Sequence, residues 1–528
     1  MIPTLRQQTI CASIHTAIAK AVASVMVAAA LLWVMPANAA TAAPQQGVHN
    51  QHLRLFQKEP LTFDPAAMIN EGDYYQCYKA GLSRPIKCLD MMVPENWDQP
   101  SAEKINLHMA IIPAKGGFSE DDPFIVFAGG PGQAATDYGS LVRASFDRIN
   151  ERRDIILIDQ RGSGMSNPLS CETDDESFSG ANKEMMVQAI QNCLASYDVD
   201  VRHFTSFDAI KDFEYVRQKL AISQWNIWGG SYGTRIGLLY MKHHPEVIRT
   251  AILDGVAAPN SRLFVTAPGD SQASFDKLVT DCLKDEGCRN SFPNVERQLF
   301  DLIDQLNENP FDFTWQEPLS GKEESFLLNG EVVANIVRTS LYAPQRWAMV
   351  PYIVDQAERL QNYKPLVSLA LDGEVWAGSS MYIGLTLSVL CAEEVPRNVA
   401  ADAAREGEGS FHKDYYYQFW LGACSQWPIK SVLAGYEDPI ESDIPTLILS
   451  GALDPVTPEG RGNDAAKHLK NVWHLTSNAA GHNVSHVACA PKIMADFIKD
   501  MSLPKDDYDC LDQPIRPYFM TSPTGARH

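Results

Sequence analysis

The sequence is poor in basic residues: 44 lysines and arginines stand against 65 aspartates and glutamates, giving a formal charge of −21. Such a chain repels nucleic-acid phosphates and anionic lipid surfaces, so we exclude nucleic acid as a partner. The sequence also lacks C-x-x-C couples at zinc-ligand spacing, so it predicts no metal site. Internal repeats are absent, and the 45% hydrophobic composition is that of a globular protein.

The N-terminus has the pattern of an export signal. Arg6 and Lys20 supply positive charge, an apolar run covers Ala21–Met35, and Pro36–Ala40 offers a small-residue cleavage site. The run is shorter than the roughly 20 apolar residues that span a bilayer, which makes an uncleaved anchor the less favoured alternative. Cys11 lacks the small apolar residues that precede a lipid-attachment cysteine. We predict a periplasmic or secreted protein with no stable membrane association.

The ten remaining cysteines fall into sequence-local couples. Their number permits on the order of 10³ pairings, so pairing by proximity is a hypothesis. Five disulfides would fit an oxidising compartment. The predicted pairs are Cys77–Cys88, Cys171–Cys193, Cys282–Cys288, Cys391–Cys424 and Cys489–Cys510.

Short apolar runs that end in glycine or polar turns predict buried parallel strands. They alternate with helical periodicity, seen at Ala209–Ala221 and Thr234–His243. This alternation predicts an α/β fold whose mostly parallel sheet carries helices on both faces. The predicted strands are Lys104–Pro113, Pro123–Ala128, Asp154–Asp159, Trp225–Trp228, Ala251–Gly255, Thr446–Gly451 and Asn471–Leu475.

Helical periodicity dominates from about Asn260 to Glu441, between two consecutive predicted strands. Val295, Leu299 and Leu302, for example, recur at helical spacing. We predict a large, mainly helical insertion on the C-terminal edge of the sheet. The predicted organisation is a signal peptide at 1–39, a tether at 40–69, the first part of the sheet domain at 70–260, a helical cap domain at 261–440, and the rest of the sheet domain at 441–528.

The stretch WGGSYG places Ser231 in a glycine-rich turn between a predicted strand and a predicted helix. A serine hydroxyl is a poor nucleophile unless it has an exposed position, a base, and donors for the oxyanion. Gly229 and Gly233 leave room for a strained turn and for close helix packing, and the helix N-terminus adds N–H donors. We predict that Ser231 is a nucleophile; the alternative is an ordinary glycine turn.

A second glycine turn, Gly129–Gly132, follows the strand that ends at Ala128. Its backbone could direct N–H groups at developing negative charge. We predict an oxyanion hole formed by the N–H groups of Tyr232 and Gly130. The alternative is a structural turn imposed by proline.

An acid and a base should follow the serine in the chain, each just past a strand. Asp454 in LILSGALDPVTP and His482 in SNAAGHNVSH meet this requirement. Asp254, which also ends a strand, remains a second choice for the acid, and His486 is a rival for the base. His474 falls within a predicted strand and is expected to pack in the core.

The motifs GGPG, DQRGSGMS, WGGSYGT, HHPEVIRTAILDGV, LILSGALDPVTP and GH together resemble those of the proline iminopeptidase and tripeptidyl aminopeptidase family of α/β-hydrolases. The resemblance covers roughly Phe124–Gly255 and Leu447–His482. It implies an α/β-hydrolase fold with a cap, no metal or organic cofactor, and the triad Ser231, Asp454 and His482. The chain departs from the family after GGPG, where it has Gln-Ala-Ala.

The resemblance further implies that acidic residues near the cap bind the free α-amine of the substrate. In LCAEEVP, Glu393 matches the pattern of a cysteine, any residue, and an acidic residue, with Glu394 in reserve. The alternative is a solvated acidic pair. The aromatic run Tyr415–Trp420 could line an apolar pocket, although such clusters more often pack in a core.

We therefore predict an exported serine aminopeptidase that removes N-terminal residues, dipeptides or tripeptides from peptides with a free N-terminus. The alternatives are a carboxylesterase or other acyl hydrolase on the same triad, and a non-catalytic binding protein, because a fold does not determine its substrate.

Overall fold

The structure, a computed structural model, describes residues 69, 71–171, 183–316, 321, 323–369, 381–504, 508–513 and 516–526. The predicted signal peptide at 1–39, including Cys11, and the predicted tether up to residue 68 lie outside these residues. Among the described residues, we find no helix that combines the length and the apolar character needed to cross a bilayer.

A large mixed sheet and a separate hairpin account for the strands. In chain order the strands are β1 (Tyr75–Cys77), β2 (Ile86–Pro94), β3 (Lys104–Ile112), β4 (Phe124–Phe127), β5 (Ile155–Ile158), β6 (Trp225–Gly230), β7 (Ile248–Asp254), β8 (Phe311–Gln316), β9 (Glu323–Leu328), β10 (Thr446–Gly451) and β11 (Val472–Ser477).

The large sheet has the order β1-β2-β3-β5-β4-β6-β7-β10-β11. The pairs from β5 to β11 in this order are parallel, whereas the three pairs that join β1, β2, β3 and β5 are antiparallel. Each predicted strand is present. The carboxyl ends of β6, β7, β10 and β11 meet at one edge, since Gly230 pairs with Asp254 and Gly451 pairs with Ser477.

Both faces of the sheet are buried. Ile125 and Phe127 of β4 enter one apolar cluster, while Phe124 and Val126 enter another on the opposite face. This double burial explains why the central strands are apolar at every position. The principal helices are Gly139–Ser145, Lys183–Ala195, Ser206–Lys219, Tyr232–His243, Leu263–Lys284, Glu286–Ser291, Val295–Glu308, Gly330–Ser340, Pro344–Trp347, Val350–Leu360, Ile383–Glu393, Ala400–Gly407, Tyr415–Cys424, Glu459–Ala466 and Ala490–Asp500.

The segment between β7 and β10 is mainly helical and has an apolar cluster that is largely its own. Val295, Leu299 and Leu302 are buried there, as their spacing predicts, together with Val333 and Ile353. The β8–β9 hairpin in this segment was not predicted. Its first strand is largely exposed, so it shows no continuous apolar run.

All five predicted disulfides are present, joining Cys77 to Cys88, Cys171 to Cys193, Cys282 to Cys288, Cys391 to Cys424, and Cys489 to Cys510. The bond between Cys391 and Cys424 links helix Ile383–Glu393 to helix Tyr415–Cys424 within the insertion.

Candidate active site

Ser231 lies on a strained turn between β6 and helix Tyr232–His243. Its backbone has φ 56° and ψ −122°, a conformation that costs energy for a residue with a Cβ. The flanking glycines are required sterically, because a Cβ on Gly229 would overlap the Gly233 carbonyl and one on Gly233 would overlap the Phe127 carbonyl. The chain therefore holds one serine at the carboxyl edge of the sheet at a cost in backbone strain.

Asp454 and His482 meet at the same edge. Asp454 follows β10 and His482 follows β11, and Asp454 Oδ2 lies 2.8 Å from His482 Nδ1. The carboxylate also accepts hydrogen bonds from the Val456 and Thr457 N–H groups and from the Thr457 hydroxyl, at 2.7 to 2.9 Å. The Asp454 side chain is fully buried, whereas 9% of the His482 side chain is exposed. This arrangement fixes the orientation of the imidazole and leaves part of it accessible.

The two groups perturb each other's pKa. Burial by itself would raise the pKa of the Asp454 carboxyl, but the charge of His482 and the hydrogen bonds from His482 and Thr457 lower it to about 2. For His482, burial lowers the pKa, while the charge of Asp454 and the hydrogen bond to it raise the pKa more strongly. The pair therefore favours an imidazole that can take a proton.

Ser231 and His482 border the same turn. The Ser231 N–H donates to the Asp254 carbonyl at 2.9 Å, and a Cβ on the next residue, Gly255, would lie 3.4 Å from His482 Cε1. The three residues that the sequence analysis selected are thus brought to neighbouring positions by three different strands.

The rival residues make other contacts. The Asp254 carboxylate accepts the N–H groups of Val484 and Ser485 and the Ser485 hydroxyl, so it supports the loop after His482 and is not hydrogen-bonded to the imidazole. His486 is exposed on that loop. His474 lies within β11 and its Nε2 is 2.9 Å from Ser450 Oγ.

The glycine turn after β4 packs beside Ser231. A Cβ on Gly129 would lie 3.4 Å from Ser231 Cβ, and the Gly129 N–H donates to Tyr138 Oη at 2.9 Å. Gly130 has φ 107°, which favours glycine. Within the described part of the chain, the N–H groups of Gly130 and Tyr232 have no acceptor. Both donors are therefore free to bind an oxyanion.

The insertion supports this turn. The Tyr382 N–H donates to the Gly132 carbonyl at 2.9 Å, and Thr386 Oγ1 donates to the Pro131 carbonyl at 2.6 Å. Helix Ile383–Glu393 thus begins against the candidate oxyanion loop.

Glu393, at the other end of that helix, is buried, and both of its carboxylate oxygens accept hydrogen bonds. Its Oε1 accepts the Ser206 N–H at 2.8 Å, and its Oε2 accepts the hydroxyls of Ser206 and Tyr436 at 2.8 and 2.7 Å. Ser206 Oγ is also 2.8 Å from the hydroxyl of Tyr232, the residue after the candidate nucleophile. Ser206 therefore links Glu393 by hydrogen bonds to the residue that follows Ser231.

Glu394 pairs with Arg235, one helical turn beyond Ser231. Glu394 Oε1 accepts from Arg235 Nη2, and Arg397 Nη2 lies 3.3 Å from the same oxygen. Glu394 Oε2 is buried and has no hydrogen-bond partner among the described residues. A buried acceptor without a donor costs free energy, so this oxygen is a position where a donor from a ligand would stabilise the site.

The sequence analysis did not select Arg235, Ser206 or Tyr436. Each reaches the glutamates across more than 40 residues of chain, so no local pattern identifies it. The aromatic run at 415–420 mostly packs within the insertion, since Tyr416 and Trp420 lie 5.3 and 5.5 Å from the Phe264 ring.

Comparison with known proteins matches two segments of the chain to models of protein families. The family model described as "alpha/beta hydrolase fold" matches residues 122–292, and the one described as "TAP-like protein" matches residues 410–510. The first segment contains β4 to β7 and the Ser231 turn, and the second contains β10, β11 and the loops that carry Asp454 and His482.

Curated relatives agree with this assignment. The chain is 23% identical to serine protease Hip1 of Mycobacterium tuberculosis over 83% of this chain and 86% of that protein. It is 25% identical to tripeptidyl aminopeptidase of Streptomyces lividans over 84% of this chain and 83% of that protein. It is 31% identical to proline iminopeptidase of Neisseria gonorrhoeae over 25% of this chain and 32% of that protein. With the sheet order described above, these matches give the chain the α/β-hydrolase fold with a TAP-like segment at residues 410–510, and the relatives it resembles are named as a serine protease and two aminopeptidases.

Proposed function

We propose that the protein is an exported serine aminopeptidase acting through Ser231, His482 and Asp454. The observation that carries the proposal is the 2.8 Å contact of Asp454 with His482 at the strand edge where Ser231 occupies its strained turn. In the proposed reaction, Ser231 Oγ attacks the scissile carbonyl as its proton passes to His482. The N–H groups of Tyr232 and Gly130 stabilise the oxyanion.

Collapse of the tetrahedral intermediate breaks the C–N bond, and His482 gives its proton to the leaving amine. Water, deprotonated by His482, then attacks the acyl-enzyme and releases Ser231. Asp454 stays ionised throughout, which its lowered pKa of about 2 supports, and stabilises the imidazolium.

We assign the substrate's α-ammonium to the carboxylates at the end of helix Ile383–Glu393. Glu393 was the first choice from the sequence, but both of its carboxylate oxygens already accept hydrogen bonds from Ser206 or Tyr436. The unpartnered Oε2 of Glu394 makes Glu394 the better candidate for the ammonium, with Glu393 holding the helix in place. A carboxylate in a buried site attracts an ammonium strongly.

The test compares an amino-acyl or tripeptidyl arylamide with its N-acetyl form. We expect kcat/KM to favour the free amine by at least about tenfold, a small part of what a buried charge pair contributes. Glu394→Gln should remove this preference, while Glu408→Gln, the same change at an exposed position of the insertion, should leave it intact. Equal cleavage of both substrates by the unmodified enzyme would contradict the aminopeptidase assignment.

A carboxylesterase is the second candidate, and the observation that favours it is that both Glu393 oxygens accept hydrogen bonds from protein donors. Cleavage of simple esters without cleavage of unblocked arylamides would support it. A fluorophosphonate that fails to label Ser231 would instead support a binding protein. Ser231→Ala should lower turnover roughly 10⁶-fold, the effect of removing one essential member of such a triad.

Export rests on the signal-like N-terminus and on the five disulfides, which suit an oxidising compartment. We expect the mature protein to begin near residue 40 and to appear in the periplasmic or extracellular fraction. N-terminal sequencing of the fractionated protein checks this; an intact Met1 in the cytoplasm would contradict it.

A further inference from the structure

Arg338, in helix Gly330–Ser340 of the insertion, is a buried arginine. The residue is only 5% exposed. Among the residues that the structure describes it forms no ion pair, and its Nε has no hydrogen-bond partner. Burying a cation without an anion is costly, so such a position is rarely kept for packing alone.

The nearest neighbours of Arg338 are aromatic side chains. Its Cζ lies 4.5 Å from the Tyr416 ring centroid and 5.8 Å from that of Tyr342, so it makes cation–π contacts with both rings. Burial, followed by the charge of Arg338, lowers the pKa of nearby His412 to about 3, which leaves that ring neutral. The Asp270 carboxylate, whose charge also acts on Arg338, is already paired with Arg461. The protein thus leaves this guanidinium available to an external anion.

Tyr342 connects Arg338 to the candidate base. The rings of Tyr342 and His482 are 5.1 Å apart, and the Tyr342 carbonyl accepts the His482 N–H at 2.9 Å. Arg338, Tyr342 and His482 therefore form a row that leads out of the triad.

The direction of this row identifies the part of the substrate that would meet Arg338. The imidazole donates its proton to the departing amine, so the leaving group must lie against His482 when the C–N bond breaks. A cation beyond Tyr342 is therefore on the leaving-group side of the scissile bond. The glutamates, by contrast, we assign to the acyl side.

We propose that Arg338, between the rings of Tyr342 and Tyr416, is a specificity-determining residue that binds a carboxylate on the leaving-group side of the substrate. This inference rests on the proposed peptidase function. A planar guanidinium suits a carboxylate because it can donate two parallel hydrogen bonds. The carboxylate can be the C-terminus of a short peptide or an acidic side chain next to the scissile bond.

The experiment uses three peptides with one common acyl part and different leaving groups: glycine, glycine amide and aspartate α-amide. We expect kcat/KM for glycine to exceed that for glycine amide by about tenfold or more, the effect of one charged hydrogen-bonded pair. A kcat/KM for aspartate α-amide well above that for glycine amide would show that an acidic side chain can supply the carboxylate. A kcat/KM for aspartate α-amide no higher than that for glycine amide would show that the site binds only a C-terminal carboxylate.

Variants separate binding from structure. Arg338→Gln should abolish the preference while cleavage of glycine amide remains, and Arg338→Lys should keep part of it. Arg297→Gln, an exposed arginine on helix Val295–Glu308, is the matched control and should change nothing. If Arg338→Gln does not fold, the comparison of the three peptides with the unmodified enzyme at low and high salt still decides, since a charge-based preference must weaken with salt.

Two failures can be told apart. Equal rates for glycine and glycine amide, with Ser231 still labelled by a fluorophosphonate, would overturn the carboxylate site and leave the proposed function intact. An equal loss of all three activities in Arg338→Gln would also overturn it, because that result indicates a purely structural arginine. Absence of Ser231 labelling would instead refute the proposed function.

Discussion

The Tyr342 carbonyl accepts the backbone N–H of His482 at 2.9 Å, and the Tyr342 ring lies against the imidazole. A residue of the insertion thus holds the loop that carries the candidate base. Gly481, just before His482, has no side chain because a Cβ there would overlap the same Tyr342 carbonyl. The insertion therefore contributes to the placement of the candidate base.

The pH dependence of the reaction should reflect this environment. Burial lowers the pKa of His482, but the charge of Asp454 raises it above the ordinary value of 6.5. The base acts when neutral, so kcat/KM should fall as the pH drops through this raised pKa, at a higher pH than for an ordinary histidine. Measuring kcat/KM between about pH 5 and about pH 9 locates the midpoint of this acidic limb of the pH profile. Asp454→Asn should move it to lower pH, and His486→Gln should not; a limb below pH 6.5 in the unmodified enzyme would contradict the assignment.

The two aspartates at the sheet edge should differ in their effect on turnover. Asp454→Asn should lower turnover about 10⁴-fold, as expected when the base loses its orienting carboxylate. Asp254→Asn disturbs the loop at Val484 and Ser485, so it should destabilise the fold by about 1–3 kcal/mol but lower turnover by no more than about 10²-fold. Urea unfolding and steady-state rates separate the two effects. Equal losses of turnover would make Asp254 a competitor for the acid.

Gly233 should tolerate no side chain. A Cβ would overlap the Phe127 carbonyl at the end of β4, which would displace either the Ser231 turn or the candidate oxyanion loop. Gly233→Ala is therefore expected to lower turnover by at least about 10²-fold. Gly460→Ala is the matched control, because a Cβ on this helical glycine has nothing within 4 Å, and it should stabilise the protein by up to about 1 kcal/mol. Normal rates for Gly233→Ala would show that the turn is not rigid.

The buried pair of Arg235 and Glu394 should matter more than an exposed pair. Arg235→Gln removes the guanidinium that lies beside both buried carboxylates, leaving Arg397 alone next to Glu394, and should lower the free energy of unfolding by about 3–5 kcal/mol. Arg405→Gln breaks the exposed pair with Asp402, whose N···O distance is 2.8 Å, and should cost less than about 1 kcal/mol. Urea unfolding compares them directly. Similar values for the two variants would mean that Arg235 is not the counter-ion of the buried glutamates.

The sequence predicted those features that depend on neighbouring residues. Fully apolar runs identified the central strands, the glycines around Ser231 identified its turn, and nearest-neighbour pairing gave the disulfides. The order of motifs also selected Asp454 and His482, which the structure brings together. Each of these depends on a pattern within a short window or on chain order.

The environment of the glutamates depends on distant residues and was not predicted. Arg235 reaches Glu394 across 159 positions, and Ser206 reaches Glu393 across 187. A pair of acidic residues before a proline looks the same in sequence whether it is solvated or buried. The β8–β9 hairpin was missed for a different reason, because exposed strands lack the apolar run that marks buried ones.

Helix Ile383–Glu393 is attached to the sheet domain at both ends, through Thr386 and the Pro131 carbonyl at one end and through Glu393 and Ser206 at the other. It should therefore move with the sheet during any rearrangement that admits a peptide. The hinge of such an opening would have to fall among the other helices of the insertion. The candidate oxyanion loop would then keep one shape in the open and the closed enzyme, so that substrate entry would not have to rebuild it.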